Sequence, residues 1–247
     1  MEKSNTINEF GIKIDTYSAK EFAEHITYDL ESGKRSIQVM GINIEQIALL
    51  KKDRNFRGYC NSSDYVNIDG TSVCLYLKLL GYKHVNRALC ADIFYKLMDY
   101  ANDKGESIYL LGAAPDTIDL VVKNLKEKYP NITIAGYHDG YFKDEKNIVN
   151  EIRNLKPTFL FLGMPSPMKE RFITTYKNEI NAGIYYGIGG MFDIIAGKAE
   201  RAPEFWQKIG LEWLYRITQN PKGHTKRVLK ALGPCLSVLI SNLFRKE

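Results

Sequence analysis

Short apolar runs alternate along this chain with segments whose apolar residues recur at helical spacing. The runs predict strands at Ser36–Met40, Tyr65–Ile68, Ser107–Leu111, Ile132–Ala135, Thr158–Leu162 and Ile184–Tyr186. The helical spacing predicts helices at Ala19–Ser32, Ile44–Lys52, Thr71–Leu80, Ala91–Lys104, Asp116–Lys128, Glu145–Leu155, Met168–Asn181 and Pro203–Ile217. This alternation predicts an α/β fold of Rossmann-like type, in which helices cover both faces of a mostly parallel sheet.

The last part of the chain differs in charge from the rest. Residues 205–247 hold eight Lys or Arg and two acids, whereas residues 1–204 hold 26 Lys or Arg and 27 acids. We therefore predict an α/β catalytic domain over residues 1–201 and a basic, amphipathic helical appendage over residues 202–247. A second helix of this appendage is predicted from about Thr225 to Phe244.

Three interpretations of the appendage remain open. Its cations and its apolar side favour the surface of an anionic membrane. The alternatives are a solvated basic helix without a partner, or aromatic residues that pack on the core or on a second subunit of a homo-oligomer. A nucleic-acid partner is not expected, because the basic character is local and the aromatic residues follow helical spacing.

Composition narrows the function classes further. With 45% hydrophobic and 26% charged residues, the 247-residue chain is expected to be globular. It has no apolar run of the ~18 residues that span a bilayer and no apolar signal core at its N-terminus, so we expect a cytoplasmic protein.

The four cysteines are scattered, which favours reduced, mostly buried thiols over a metal site. The P-loop and GxGxxG patterns are absent, which disfavours P-loop NTPases and standard dinucleotide oxidoreductases.

Several predicted strands end in loops that contain Gly, Asp or Asn, and the carboxyl edge of a parallel sheet is where ligands bind. Asp69 follows one strand, where it is either an N-cap or a general base. Asn43 follows another, where it is either an N-cap or an amide that faces a sugar or phosphate. Arg87 is either a surface residue or a charge partner of Asp92.

A diphosphate at this edge needs positive charge or N–H donors. The chain has no Asp-x-Asp element to hold a divalent ion against a diphosphate. Candidates for the contact are the glycine loop Gly187–Gly190, Lys198 and Arg201. The sequence therefore predicts no metal and no cofactor.

From about Val39 to Leu229 the chain resembles the WecG/TagA/CpsF family of bacterial glycosyltransferases. The most specific match is the segment Gly187–Pro203, followed by the sequence Gly-Leu-Glu-Trp-Leu-Tyr-Arg at residues 210–216. The other matches are Asn43 with its helix, Asp69-Gly70, Arg87 with Asp92, Leu111-Gly112, Gly140-Tyr141-Phe142 and the Gly163–Glu170 loop.

The resemblance implies an inverting, metal-independent transferase that moves a sugar, commonly an N-acetylated hexosamine or its uronate, from a UDP-sugar to a polyprenyl-diphosphate-linked sugar. Such reactions build teichoic acid linkage units, capsules and exopolysaccharides at the inner face of the cell membrane. The resemblance makes Asp69 the catalytic base and Asn43 a substrate contact, with Arg216 and Arg227 of the appendage completing the site. We predict further substrate contacts at Gly41, Arg87, Asp92, Gly112, Tyr141, Lys169, Glu170, Gly187, Gly189, Gly190 and Arg201.

The chain departs from the family pattern at two positions. Gly41 replaces a threonine, which removes a hydroxyl contact, and Lys169 replaces a glutamine. An ammonium group at position 169 favours a diphosphate or a sugar carboxylate, so an altered donor or acceptor sugar is one hypothesis. The departures also leave open a non-catalytic scaffold that binds nucleotide sugars within a polysaccharide assembly complex.

Overall fold

A computed structural model describes residues 5–208 and 210–219, together with residues 221, 225, 229, 230, 233, 236, 237, 240 and 241. The strands are β1 Thr6–Glu9, β2 Ile12–Asp15, β3 Ile37–Ile42, β4 Tyr65–Ile68, β5 Ser107–Gly112, β6 Thr133–His138, β7 Phe159–Gly163 and β8 Ile184–Gly187. The helices are α1 Ala19–Glu31, α2 Ile44–Lys52, α3 Phe56–Asn61, α4 Thr71–Leu79, α5 Cys90–Lys104, α6 Pro115–Lys128, α7 Glu145–Leu155, α8 Met168–Ile180, α9 Met191–Ile195, α10 Glu204–Lys208 and α11 Glu212–Gln219.

The main sheet has six strands in the order β4-β3-β8-β7-β5-β6, and every neighbouring pair is parallel. All six carboxyl ends therefore lie at one edge of the sheet. The chain leaves β5 towards β6 and leaves β7 in the opposite direction, towards β8. Ligands of open parallel sheets bind at such a divergence point.

Helices cover both faces of the sheet, as the sequence predicts. Alternate residues of one strand enter different cores: Leu110 packs with α1, α5 and α6, while Tyr109 and Leu111 pack with α7 and α8. A third cluster joins α2, α3 and α4 to the β1–β2 hairpin at the β4 side of the molecule. The predicted α/β, Rossmann-like architecture is confirmed.

The structure adds elements that the sequence pattern did not predict: the β1–β2 hairpin and the short helices α3 and α9. The predicted single helix Pro203–Ile217 is wrong, because Gly210 adopts a φ of 75° and divides it into α10 and α11. Most of the predicted helix from Thr225 to Phe244 lies outside the described residues, and its described positions, such as Leu229 and Leu236, are helical.

Candidate active site

Asp69 follows the last residue of β4 at the carboxyl edge of the sheet. Its carboxylate Oδ1 accepts the backbone N–H of Cys90, the first residue of α5, at 2.8 Å. In the described part of the chain, no group bonds to Oδ2. The expectation that Asp69 caps its own helix is wrong, because Gly70 is the N-cap of α4. One carboxylate oxygen is thus fixed, while the other is available to a ligand.

Asn43 is the N-cap of α2. Its Oδ1 accepts the backbone N–H of Glu45 at 2.8 Å, and the side chain of Gln46 accepts the N–H of Asn43 at 3.2 Å. A Cβ added to Gly70 would lie 2.8 Å from the Cβ of Asn43, so the loop after Asp69 packs directly against it. The capping role uses Oδ1 only, and among the described residues Nδ2 has no partner that would prevent contact with a sugar.

Gly41 lies beside these two residues. It pairs with Asn67 in the β3–β4 register, and it is half-buried while the other residues of β3 are buried. A Cβ at position 41 would lie 3.4 Å from the Cβ of Asp69. The fold therefore brings together Gly41, Asn43 and Asp69. Their common edge is as expected for a parallel sheet, and the pairing of β3 with β4 makes them neighbours.

Lys169 and Glu170 form a buried ion pair at the start of α8. Lys169 Nζ lies 2.7 Å from Glu170 Oε1, and the two side chains are only 7% and 1% exposed. Ser166 Oγ donates to the same carboxylate oxygen at 2.7 Å and accepts bonds from Lys169 Nζ and from Gln46 Nε2. The pair therefore ties the loop after β7 to the first turn of α2. A contact between the Lys169 ammonium and a substrate stays a prediction.

Gly187 makes room for this pair. A Cβ at position 187 would lie 2.7 Å from the Cδ of Lys169, so the lysine side chain passes against the backbone at the end of β8. In the loop that follows, the N–H groups of Ile188 and Gly189 both donate to the carbonyl of Leu162, at 2.9 and 3.3 Å. Gly190 is exposed, and its N–H has no acceptor among the described residues. It is the amide of the predicted loop best placed to meet an anion.

At the divergence point, the backbones at the ends of β5 and β7 are in contact, and the loop after β6 packs against the end of β5. A Cβ on Gly112, whose φ is 134°, would lie 2.6 Å from the carbonyl carbon of Gly163, and one on Gly140 would lie 3.3 Å from the Cα of Gly112. Close packing explains the glycine at position 112, and its predicted ligand contact stays untested. Tyr141 is 76% exposed at the rim of the same edge, where its ring is free to meet a ligand.

Arg87 joins the Asp69 loop to the appendage. Its Nε donates to the carbonyl of Asp69 at 3.0 Å, Nη1 to the carbonyl of Gln207 at 3.2 Å, and Nη2 to Glu212 Oε1 at 2.6 Å. The alternative that pairs Arg87 with Asp92 is wrong, since that guanidinium group is occupied by Glu212. Arg87 thus fixes the appendage beside the proposed base.

Asp92 pairs instead with Arg201, whose Nη2 lies 2.5 Å from Asp92 Oδ1. Lys198 likewise binds Asp116 Oδ2 at 2.5 Å and Thr117 Oγ1 at 2.8 Å. The two cations predicted to meet a diphosphate are therefore engaged with carboxylates in this structure. Any contact with a diphosphate would require an exchange of partners.

The appendage packs onto the start of α4. A Cβ on Gly210 would collide with the side chain of Thr71, two residues after Asp69, so the turn between α10 and α11 lies against this loop. The rings of Trp206 and Tyr215 are 6.1 Å apart, and the Tyr215 hydroxyl donates to Glu200 Oε2 at 3.0 Å. Trp206 and Tyr215 therefore contact each other, and the choice among the three interpretations of the appendage stays untested.

None of the contacts described above involves the two arginines of the appendage that were predicted to complete the site. Arg216 belongs to α11, but its side chain is not among those described, and Arg227 lies outside the described residues. Their contact with a lipid-linked acceptor stays a prediction.

Four groups that hold the site residues in place were not predicted from the sequence: the side chains of Gln46, Ser166 and Glu212, and the backbone N–H of Cys90. Gln46 stands three residues after Asn43, which is capping-box spacing and a usable signal. Glu212 is one of two acids in a basic segment, but nothing local indicates that its partner lies 125 positions earlier.

Cys60 and Cys74 are buried, and Cys90 is half-buried. Cys60, Cys74 and Cys90 form no disulfide, and burial raises the pKa of the Cys60 thiol to about 12. Over the described residues, no group of three or more His, Cys, Asp or Glu is arranged to hold a metal. The helices described are all too short or too polar to cross a bilayer.

The chain matches the model of the glycosyl transferase WecG/TagA/CpsF family over residues 7–247. It is similar to the N-acetylglucosaminyldiphosphoundecaprenol N-acetyl-beta-D-mannosaminyltransferase of Bacillus subtilis (strain 168), with 35% identity over 188 residues, or 76% of this chain and 73% of the relative. A protein of the same name from Staphylococcus aureus (strain MW2) is 26% identical over 224 residues, or 90% of this chain and 88% of the relative. The family match spans nearly the whole sequence, and the chain therefore belongs to the WecG/TagA/CpsF family of glycosyl transferases.

Proposed function

We propose that this glycosyltransferase moves an N-acetylated hexosamine, or a related hexose or uronate, from a UDP-sugar to a sugar carried on polyprenyl diphosphate. The product would serve cell-wall, capsule or exopolysaccharide synthesis. The names of the two relatives support this proposal, since they specify an N-acetylmannosaminyl group and a diphosphoundecaprenol-linked acceptor. The observation that carries the proposal is the carboxylate of Asp69, held at the carboxyl edge by the N–H of Cys90.

The reaction is a single displacement. Oδ2 of Asp69 takes the proton of the acceptor hydroxyl while the hydroxyl oxygen attacks the anomeric carbon on the face opposite UDP. The bond from that carbon to UDP breaks, UDP leaves with the electron pair, and the configuration inverts. The hydrogen bond from Cys90 holds the carboxylate in one orientation, and a positioned base typically contributes ~10²–10⁴ in rate.

The leaving diphosphate carries negative charge that the site must meet. We propose that the exposed N–H of Gly190 and the arginines of the appendage, Arg216 and Arg227, supply these contacts without a metal ion. Turnover retained in excess EDTA would agree with this arrangement, and turnover restored only by added Mg²⁺ or Mn²⁺ would refute it.

We further propose that residues 202–247 form the appendage that contacts the inner face of the cell membrane, where the acceptor resides. Residues 1–201 form the catalytic domain that carries the base, and the appendage arginines complete its site. Phe205 is 66% exposed and Trp213 is 48% exposed, so both are available to the interface. Each nearby cation adds ~1 kcal/mol of attraction to an anionic surface. Liposome flotation of the full chain, and of a chain shortened after Ala202, separates this role from packing alone. Equal flotation of both chains would argue against it.

A UDP-release screen tests the reaction itself. The protein is incubated with individual UDP-sugars, with and without a short-chain polyprenyl-diphosphate-linked N-acetylglucosamine. We expect UDP release that depends on the acceptor and is fastest with one UDP-N-acetylhexosamine. Binding of a UDP-sugar without release in any combination would instead support the non-catalytic scaffold.

A further inference from the structure

A buried hydrogen-bond acceptor without a partner lies beside Asp69. Asn67 of β4 is 0% exposed, and its Nδ2 donates to the carbonyl of Ala88 at 2.7 Å. This bond fixes the orientation of the amide and points Oδ1 away from Ala88. Within the described residues, Oδ1 has no hydrogen-bond partner. Buried polar atoms are almost always paired with protein, water or ligand, so this exception requires an explanation.

Both polar atoms of the Asn67 amide, including the unpaired Oδ1, lie beside Gly41. A Cβ at position 41 would lie 3.4 Å from Asn67 Oδ1 and 3.3 Å from Nδ2. Asn67 and Asp69 are two residues apart along one extended segment, so their side chains project to the same side. Gly41 is the half-buried position of β3, and the sheet is therefore approachable from the carboxyl edge at this point.

We propose that Gly41 and Asn67 form a sugar subsite, in which Asn67 Oδ1 accepts a hydrogen bond from a substrate group that lies over Gly41. This inference rests on the proposed function and adds a binding residue to it. Glycine at position 41 leaves the amide of Asn67 uncovered on this side, because even a Cβ there would lie within 3.4 Å of both amide atoms. The neighbouring Asp69 would hold the reacting hydroxyl next to it.

The chemistry of the ligand group follows from these atoms. A carbonyl oxygen accepts hydrogen bonds, so it pairs with a sugar hydroxyl or with the N–H of an acetamido group. A carboxylate is disfavoured, because it would meet the carbonyl dipole of Asn67 and the negative charge of Asp69. The subsite therefore selects a neutral face of the sugar and not the carboxylate of a uronate.

Two substitutions test the subsite from opposite directions. Gly41→Ala places a methyl group against Asn67 and Asp69 without changing the functional groups of either residue. Asn67→Leu removes the acceptor at similar volume. Gly58→Ala is the matched control, because a Cβ on this helical glycine meets nothing within 4 Å. Asn67→Leu also removes the N–H donor to the carbonyl of Ala88. The thermal midpoint of unfolding is therefore measured for all variants. If Asn67→Leu does not fold, Gly41→Ala alone decides the test.

KM and kcat are measured separately for the UDP-sugar and for the lipid-linked acceptor, and binding of UDP-N-acetylglucosamine and UDP-glucose is measured by calorimetry. We expect KM for one of the two substrates to rise about 3- to 10-fold in both variants. A rise of this size corresponds to the loss of one neutral hydrogen bond. A rise for the donor, together with loss of preference for the acetamido sugar, places the donor in the subsite. A rise for the acceptor alone places the acceptor there.

Unchanged KM and binding in folded Gly41→Ala would overturn the inference while leaving the proposed function intact. A complex with both substrates in which only water meets Asn67 Oδ1 would overturn it as well. If the wild-type protein neither binds a UDP-sugar nor releases UDP, the proposed function fails, and the subsite fails with it.

Discussion

Replacing Lys169 with methionine tests whether its buried ion pair stabilises the edge of the sheet. Methionine keeps most of the length of the side chain and removes the charge. Lys169 Nζ lies 2.7 Å from Glu170 Oε1, and both side chains are almost fully buried. In the variant, Glu170 keeps the hydrogen bond from Ser166 but loses its counter-charge, and Oε2 already lacks a partner among the described residues.

The buried charge of Glu170 sets the size of the loss. Removal of one member of a buried ion pair costs ~3–5 kcal/mol, because it leaves a buried charge uncompensated. We therefore expect Lys169→Met to lose ~3–5 kcal/mol of stability at pH 7.

Urea unfolding at pH 7, followed by far-UV circular dichroism, measures this loss. Lys96→Met, the same change at an exposed position of α5, is the control and is expected to stay within ~0.5 kcal/mol of wild type. The double variant Lys169→Met/Glu170→Gln removes both charges. It should recover to within ~1 kcal/mol of wild type, because a neutral buried pair carries no uncompensated charge.

A Lys169→Met variant no less stable than Lys96→Met, or a double variant as unstable as the single one, would contradict a stabilising role of the ion pair. The contrasting hypothesis, a direct contact of the Lys169 ammonium with a substrate, makes a different prediction. Lys169→Gln would then change the preferred donor or acceptor without a comparable change in stability.

Two further predictions follow from the contacts of the site. Glu212→Gln should raise hydrogen exchange of the backbone amides in α10 and α11 about tenfold or more, because a hydrogen bond between charged groups contributes ~1.5–3 kcal/mol. Unchanged exchange by mass spectrometry would show that Arg87 does not hold the appendage. Cys60, whose pKa is raised to about 12 by burial, has a thiolate fraction of ~10⁻⁴ at pH 8, against about a quarter for a free thiol. Peptide mass spectrometry should therefore find it alkylated by iodoacetamide in urea and not in the native protein; equal labelling in both states would contradict its burial.

The central strands could be predicted from sequence because they are buried on both faces and read as nearly continuous apolar runs. Tyr65–Ile68, for example, has the same bounds in the prediction and in the structure. The β1–β2 hairpin was missed because its turn places Phe10, a bulky residue, at a φ of 57° where Asn or Gly is usual. The division of the appendage helix depends on Gly210 packing against Thr71, which no local pattern reveals.

That Asn43 and Asp69 lie at one edge of the sheet also followed from sequence, because parallel strands end at the same edge. The choice of ion-pair partners did not. Arg87 is five residues from Asp92, yet it binds Glu212, since the fold brings the appendage to it. Sequence spacing identifies which groups reach the edge, whereas tertiary packing decides which of them remain available to a ligand.

The most direct test of the central claim is the rate at which Asp69→Asn forms the lipid-linked disaccharide. Asparagine keeps an Oδ1 that can accept the N–H of Cys90, so the variant is expected to fold with an unchanged thermal midpoint. It cannot take the proton of the acceptor hydroxyl, and we predict a fall of ~10²–10⁴ in turnover relative to wild type. Near-normal turnover by folded Asp69→Asn would contradict the account, because it would remove the base from the reaction.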